Sequence, residues 1–227
     1  MGDKGTNIPI EEYYSNFGNK NELNGLLNVT YKLRDKFTLG GNVQYRGVSF
    51  HYKDTEKYGN PYGDLSAFDK KWNFINAGAN IEYSPSKYTK IYSRFTLLNR
   101  EPTRSDMFGG NENFTGEFAT LKPEIANDVE LGVEYTLRNK IYANVNIYHM
   151  WFKNELVLNG EYGLNGLPCH DNADKSYRRG IEAEVDWNFI GDWNVRGAFS
   201  YSDNTVINSK ISEIVAELPL RMTKNKF

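Results

Sequence analysis

Metal chemistry has one candidate place in this chain, the stretch "PCHD" at residues 168–171, where Cys169, His170 and Asp171 stand side by side. All three are metal-ligand types. Three consecutive residues cannot close a tetrahedral shell, and no second cluster of such residues is present, so neither a metal nor another cofactor is expected. His51 and His149 are the other histidines, and no Ser or Asp stands at a spacing that would pair with any of the three. There is no G-x-S-x-G stretch, and an enzyme is not expected. Binding chemistry has better material. Tyr58 and Tyr62 in "EKYGNPYGDLSAF", and Tyr162 in "GEYGLNGL", could stack on a catecholate or a sugar; the same residues also suit ordinary loop packing. Charge is concentrated in "NREPTRSDMF" at residues 99–108 and "LKPE" at 121–124, which carry Arg100, Glu101, Arg104, Asp106 and Glu124 with a proline in each stretch.

The elements that must position these residues alternate with a period of two. In "ELNGLLNVTYKL", Leu23, Leu27, Val29, Tyr31 and Leu33 alternate with Asn24, Asn28, Thr30 and Lys32. The pattern repeats seven times more, down to Trp193, Val195, Phe199 and Tyr201 against Asn194, Arg196, Ser200 and Ser202. Short turns fall near residues 34, 86, 139 and 191, a hairpin spacing of roughly 52. Long polar loops are predicted over residues 51–70, 100–126 and 154–175. The expected fold is therefore all-β, an antiparallel up-and-down meander of about eight strands over residues 22–206, followed by an irregular tail at 207–227. Gly40-Gly41 sits mid-strand and reads as a bend or bulge.

Composition narrows the class. The 227 residues are 15% aromatic with 20 glycines and a formal net charge of -2, and no basic stripe points to nucleic acid. A single cysteine excludes an internal disulfide framework. No apolar run approaches the ~18 residues of a spanning helix. Strands apolar on one face alone remain compatible with a transmembrane barrel, and short turns on one rim with long loops on the other are the outer-membrane arrangement. Tyr31, Phe37, Trp187 and Trp193 near strand ends suit an interfacial girdle. A soluble β-sandwich binding module is the alternative that the alternation leaves open.

The series "NREPTRSDMF", "LKPEIANDVELGVEY", "NIYHMWFKNELVLNGE" and "SYRRGIEAEVDW", in that order, resembles the C-terminal half of TonB-dependent outer-membrane receptors, especially those of Bacteroidota-like bacteria. Arg100-Glu101-Pro102-Thr103 is similar to the family's Phe-Arg-x-Pro-Thr segment, with Asn99 where an aromatic is commoner. Leu121 to Glu124, Glu130-Leu131-Gly132 and Arg179 to Glu182 match the pattern closely. The resemblance implies a plug domain inside a barrel of roughly 22 strands, energy from the TonB system, a place in the bacterial outer membrane among its lipids, and a scarce small nutrient as ligand, a ferric siderophore or related iron complex first. It also implies that 1–227 is a partial barrel, with the plug and the remaining strands absent. "MGDKGTNIPI" has no signal-peptide h-region, and its formal myristoylation pattern is better read as the start of a cloned fragment. The terminal Phe227 breaks alternation and reads as coincidence. A non-transporting structural or adhesive barrel is the other membrane reading.

Parity makes two structural expectations. Val129, Leu131, Val133, Val185, Trp187 and Phe199 should point to the lipid side. Arg100 and Glu124 should meet across the ladder on the inner wall, where Pro102 and Pro123, lacking an N–H, end the pairing. Glu101, Arg104 and Asp106 are expected to join them in one lumen charge cluster.

Overall fold

In the computed structural model, which describes residues 16–54, 67–108, 121–138, 140–162, 168–188 and 193–207, the chain forms one antiparallel sheet. Its strands are β1 (Asn16–Arg34), β2 (Phe37–Asp54), β3 (Ala67–Ser86), β4 (Thr89–Arg100), β5 (Glu124–Leu137), β6 (Ile141–Tyr162), β7 (Pro168–Asn188) and β8 (Asn194–Ile207), with one short helix, α1 (Arg104–Phe108), between β4 and β5. They pair strictly in chain order, β1 to β8, so hairpins joined by long connections are hydrogen-bonded to each other as well. Among the described residues there is one sheet and no second layer, which removes the sandwich alternative.

The register explains why one alternation serves all eight strands. Val43 faces Leu27 and Ala77, Ala77 faces Leu97, Val129 faces Phe95 and His149, and Val185 faces Ala143 and Gly197. Odd residues face odd residues at each of these interfaces, so odd positions share one face and even positions the other. Val129, Leu131, Val133, Val185, Trp187 and Phe199 are all odd, and they are 38–61% exposed. Apolar side chains in such a row need a nonpolar medium, and with no second sheet that medium is lipid. Aromatic rings mark its lower border. Phe37 stacks on Tyr83 at 4.6 Å beside the turn rim, where Tyr31, Tyr135 and Trp187 also stand exposed on the outer face. On β7 the outer face is apolar from Trp187 up to Ile181, six residues and about 15 Å of height at roughly 3.3 Å per residue and a tilt near 40°, and the next outer row carries His149 and the ion pair Arg179–Asp203.

The strands are longer than the alternation suggested. Residues 51–54 belong to β2 and 67–70 to β3, and most of the loop expected at 154–175 is ladder, with Glu155 facing Ala173 and Leu158 facing His170. The reason is an inversion of pattern. Above Gly47 the even residues Val48, Phe50 and Tyr52 are apolar and buried, while Ser49 and His51 carry the polarity. The wall there has left the bilayer: its outer face meets water and its inner face packs protein. A reading that required apolar odd positions stopped at the inversion. Residues 58, 62 and 208–227 lie outside the described residues.

Gly40-Gly41 makes no bulge, since β2 keeps continuous register with β1 and β3 through both. Gly40 is needed for space, because a Cβ there would collide with the Asn80 carboxamide. The same device recurs where the Tyr92 ring lies over Gly132 and Tyr148 over Gly180. Tyr92 is buried and donates from its hydroxyl to Asn144 Oδ1 at 3.4 Å. Gly132→Ala should therefore destabilise the wall by about 1–3 kcal/mol through overpacking against that ring, read as a lower urea midpoint in vesicles. A midpoint equal to wild type would show that the ring moves aside freely.

Candidate functional site on the inner wall

The even face carries the chemistry. On β4 and β5 it is a row of facing ion pairs: Lys90–Glu134 at 2.8 Å, Arg94–Glu130 at 3.6 Å and Arg100–Glu124 at 3.2 Å. Arg100 and Glu124 are the last facing pair of that ladder, and Pro102 and Pro123 lie just beyond it. Glu124 also accepts from the Leu156 N–H at 3.1 Å, which ties the top of β5 to β6.

The five charges expected to form one cluster are instead divided among four places. Arg100 and Glu124 stay on β4 and β5. Glu101 leaves them and turns toward β1 and β2, where Arg46 grips it with Nη1–Oε2 at 2.6 Å and Nη2–Oε1 at 2.8 Å and Lys20 Nζ adds a bond at 2.7 Å. Arg46 holds Glu22 as well, at 2.7 and 2.9 Å. From Glu22 a chain of carboxamides runs through Asn24, Gln44 and Asn76 to the backbone N–H of Asn99. Asp106 goes to the far side: its Oδ1 lies 3.6 Å from His170 Nδ1 on β7. Arg104 is exposed on α1. The physical reason for the split is that β4 ends at Arg100, so the parity that grouped these residues no longer acts on 101–106.

Burial alone would raise the Glu101 carboxyl, but the bonds from Arg46 and Lys20 outweigh it and hold the group below the ordinary carboxylate value. Glu101 is 5% exposed, and Pro102 beside it is buried. Next comes a capping box, in which Asp106 N–H donates to Thr103 Oγ1 at 3.2 Å and Thr103 N–H to Asp106 Oδ2 at 2.8 Å. It starts α1 and turns Met107 into a buried apolar group with Val48, Phe50, Tyr52, Trp72 and Phe74. Residues 99–108 thus form a strap across the even face.

The strap also shows the curvature. Met107 and Asp106 are chain neighbours, yet one packs with β2 and β3 and the other reaches β7. From β3 to β7 is four strand spacings, about 19 Å on a flat sheet. Adjacent residues reach both only when the sheet curls around them, so the even face is the concave, lumenal one.

Cys169, His170 and Asp171 lie on β7 rather than in a loop. Successive side chains on a strand point to opposite faces, so the three do not converge; Asp171 Oδ1 accepts from the Asn172 N–H at 2.7 Å. His51, for which the sequence showed no partner, has Asp69 at 2.8 Å across the β2–β3 ladder. Beyond Asn154, which takes a positive φ of 56°, the wall gains a buried Glu155 bonded to Ser176 and Arg178, whose guanidinium stacks on Phe152 at 4.5 Å. Tyr162 ends β6 and is exposed. Sequence reasoning missed Lys20, Glu22 and Arg46 as partners of the strap, because nothing short of the fold joins residue 101 to residue 46. The signal for the apolar patch was present in the even residues of "GVSFHY".

Solved structures share this architecture. The copper transporter OprC superposes with a TM-score of 0.69 at 16% identity, over 83% of this chain and 29% of its own. The ferric yersiniabactin uptake receptor FyuA from Yersinia pestis gives 0.57 at 21%, over 87% and 29%. The ferric-catecholate import receptor Fiu from E. coli K12 gives 0.60 at 15%, over 85% and 26%. The chain thus spans less than a third of the length of each of these structures, and at these identities the likeness is one of fold. Residues 2–219 match the family described as TonB dependent receptor-like, beta-barrel. With the lipid-facing band, the lumenal wall and this match, the chain belongs to the TonB-dependent receptor β-barrel family of the bacterial outer membrane.

Proposed function

We propose that the chain is wall from the C-terminal half of the barrel of a TonB-dependent transporter, of the type found in Bacteroidota-like bacteria, and that the transporter takes up a ferric siderophore or related iron complex. The observation that carries this reading is the inward strap. A barrel that only anchors or adheres needs no lumenal segment pinned to β1, β2 and β7, whereas a gated passage does. The work of such a protein is binding and passage rather than catalysis. In this reading a plug domain closes the lumen, the TonB system supplies the energy, and Tyr162 on the upper rim, with Tyr58 and Tyr62, contacts the ligand. The similar structures are of a copper transporter and of ferric-complex receptors, which supports a metal-bearing nutrient. The test expresses the protein in a host without its own ferric-siderophore receptors, with TonB present or deleted. TonB-dependent growth and accumulation of radiolabelled iron are expected with at least one siderophore class. A protein folded in the outer membrane that gives neither with any class would return the assignment to a structural or adhesive barrel.

A further inference from the structure

One row of the lumenal wall is apolar on four of its five strands. Leu98 faces Ala126, Ala126 faces Phe152, Phe152 faces Ser176 and Ser176 faces Val206. Leu98 is 51% exposed although it stands on the even face, away from lipid. An apolar strip left open on a polar wall is a place for another apolar surface.

Two guanidiniums border the strip. Arg100 stands two residues above Leu98 on β4, and Arg178 two residues below Ser176 on β7. Three strand spacings separate β4 from β7, about 14 Å on a flat sheet and less on this concave face. Both cations are turned to the lumen. The Arg100 side chain is 52% exposed and that of its acid, Glu124, 14%; for Arg178 and Glu155 the figures are 44% and 9%. In each pair the carboxylate is thus the deeper partner and the guanidinium the outer one. Each guanidinium gives a single nitrogen to its acid among the described residues, which leaves further N–H groups of the fork open. Arg178 is the more firmly held. Its guanidinium lies 4.5 Å from the centre of the Phe152 ring, Ser176 Oγ also donates to Glu155, and Asn154 takes a φ of 56° just where Glu155 swings inward. A buried carboxylate and a left-handed residue both cost stability. Together they set the direction of one arginine. Asp128, in the row of Arg178, keeps its Oδ1 buried in the wall.

We infer that this strip is a ligand subsite for an aryl oxyanion, a flat aromatic ring carrying vicinal or carboxyl oxygens, as in catecholate and salicylate groups. The ring lies on Leu98 and Ala126, its oxygens take the open N–H groups of Arg178, and Arg100 receives a second arm of the same ligand. Ferric citrate has the oxygens without the ring. A ferric trihydroxamate has neither the ring nor the negative charge. The inference rests on the transport reading and narrows it, from ferric complexes in general to those with aryl oxyanion arms.

The test titrates the purified intact receptor in detergent with three iron(III) complexes, of a tricatecholate, of citrate and of a trihydroxamate. Wild type should bind the tricatecholate complex at least tenfold more tightly than either of the others. R178Q should lose roughly tenfold or more of that affinity, as expected for removal of a charge-assisted hydrogen bond. R178K should lose part of it, because an ammonium lacks the planar fork. Leu98→Asn changes an exposed side chain and leaves Glu155 paired, so it keeps the test open if R178Q folds poorly; it should weaken the tricatecholate complex alone. Wild-type affinity for that complex in both R178K and Leu98→Asn would overturn the subsite. A wild-type preference for citrate or the trihydroxamate would overturn the ligand class. Equal losses for all three complexes in R178Q, with a lower melting temperature before ligand is added, would give Arg178 to a protein carboxylate and overturn the subsite as well. Binding of none of the three, with TonB-dependent iron uptake intact, overturns this inference alone; loss of that uptake too, in a folded receptor, overturns the transport reading with it.

Discussion

Replacing Glu101 by alanine is expected to lower stability in vesicles by about 3 kcal/mol, the low end for breaking a largely buried ion pair. The low end applies because Arg46 keeps Glu22 and Lys20 is half exposed. What remains is an arginine 19% exposed, with half of its fork unmatched, and a strap whose anchor is gone. Urea unfolding of the reconstituted protein checks the magnitude, and a double-mutant cycle with Arg46→Met isolates the pair. A loss under about 1 kcal/mol, or no coupling in the cycle, would show that Met107 alone seats the strap. Acid should reproduce the effect in part. The Glu101 carboxyl is held below its ordinary value of 4.5, so it contributes stability that is complete above that pH and lost as pH falls through the lower, folded value. Stability measured downward from pH 4.5 should fall more steeply in wild type than in Glu101→Ala; parallel curves would contradict the assignment.

Val185→Arg should cost up to about 2–4 kcal/mol in a bilayer, the penalty for arginine on the lipid face, which is greatest at mid-height and falls toward the border at Trp187. Val185 lies between Ala143 and Gly197, one row above the row of Trp187, and no acid stands beside it in its row to take the charge. Glu184→Arg is the control on the same strand. It places the same charge on the lumenal face and should cost much less. Vesicle unfolding of the two variants separates the faces; equal costs would mean that the alternation does not divide lipid from lumen here.

Most of the wall was legible because a half-wetted strand writes its environment into every second residue. Val129, Leu131 and Val133 against Glu130 and Glu134 could be assigned to faces from the text alone, and the tight turns placed the hairpins. The Arg100–Glu124 contact was legible by the same parity, extended only a few residues past the clear pattern. Three things were hidden. At Val48 the medium outside the wall changes from lipid to water, and the same period continues with its sign reversed. At Glu101 the chain leaves the ladder, so its partners Lys20 and Arg46, 81 and 55 residues away, follow from curvature and not from spacing. At Asn154 a positive φ swings the odd residue Glu155 inward, against the parity of the strand below it.

The common parity of all eight strands also limits how such a wall can change over generations. Deleting one residue between Val129 and Val133 would swing every side chain on one side of the cut to the opposite face, sending glutamates into hydrocarbon and valines into water. Losing two residues shortens the strand and leaves the faces in place. Within the bilayer, then, insertions and deletions survive in pairs, or as whole hairpins that bring both strands with their faces matched. Past the ends of the ladders no such pairing rule holds. Length variation among relatives should gather on the rim that carries the long connections, while the span between Trp187 and Ile181 keeps a constant count.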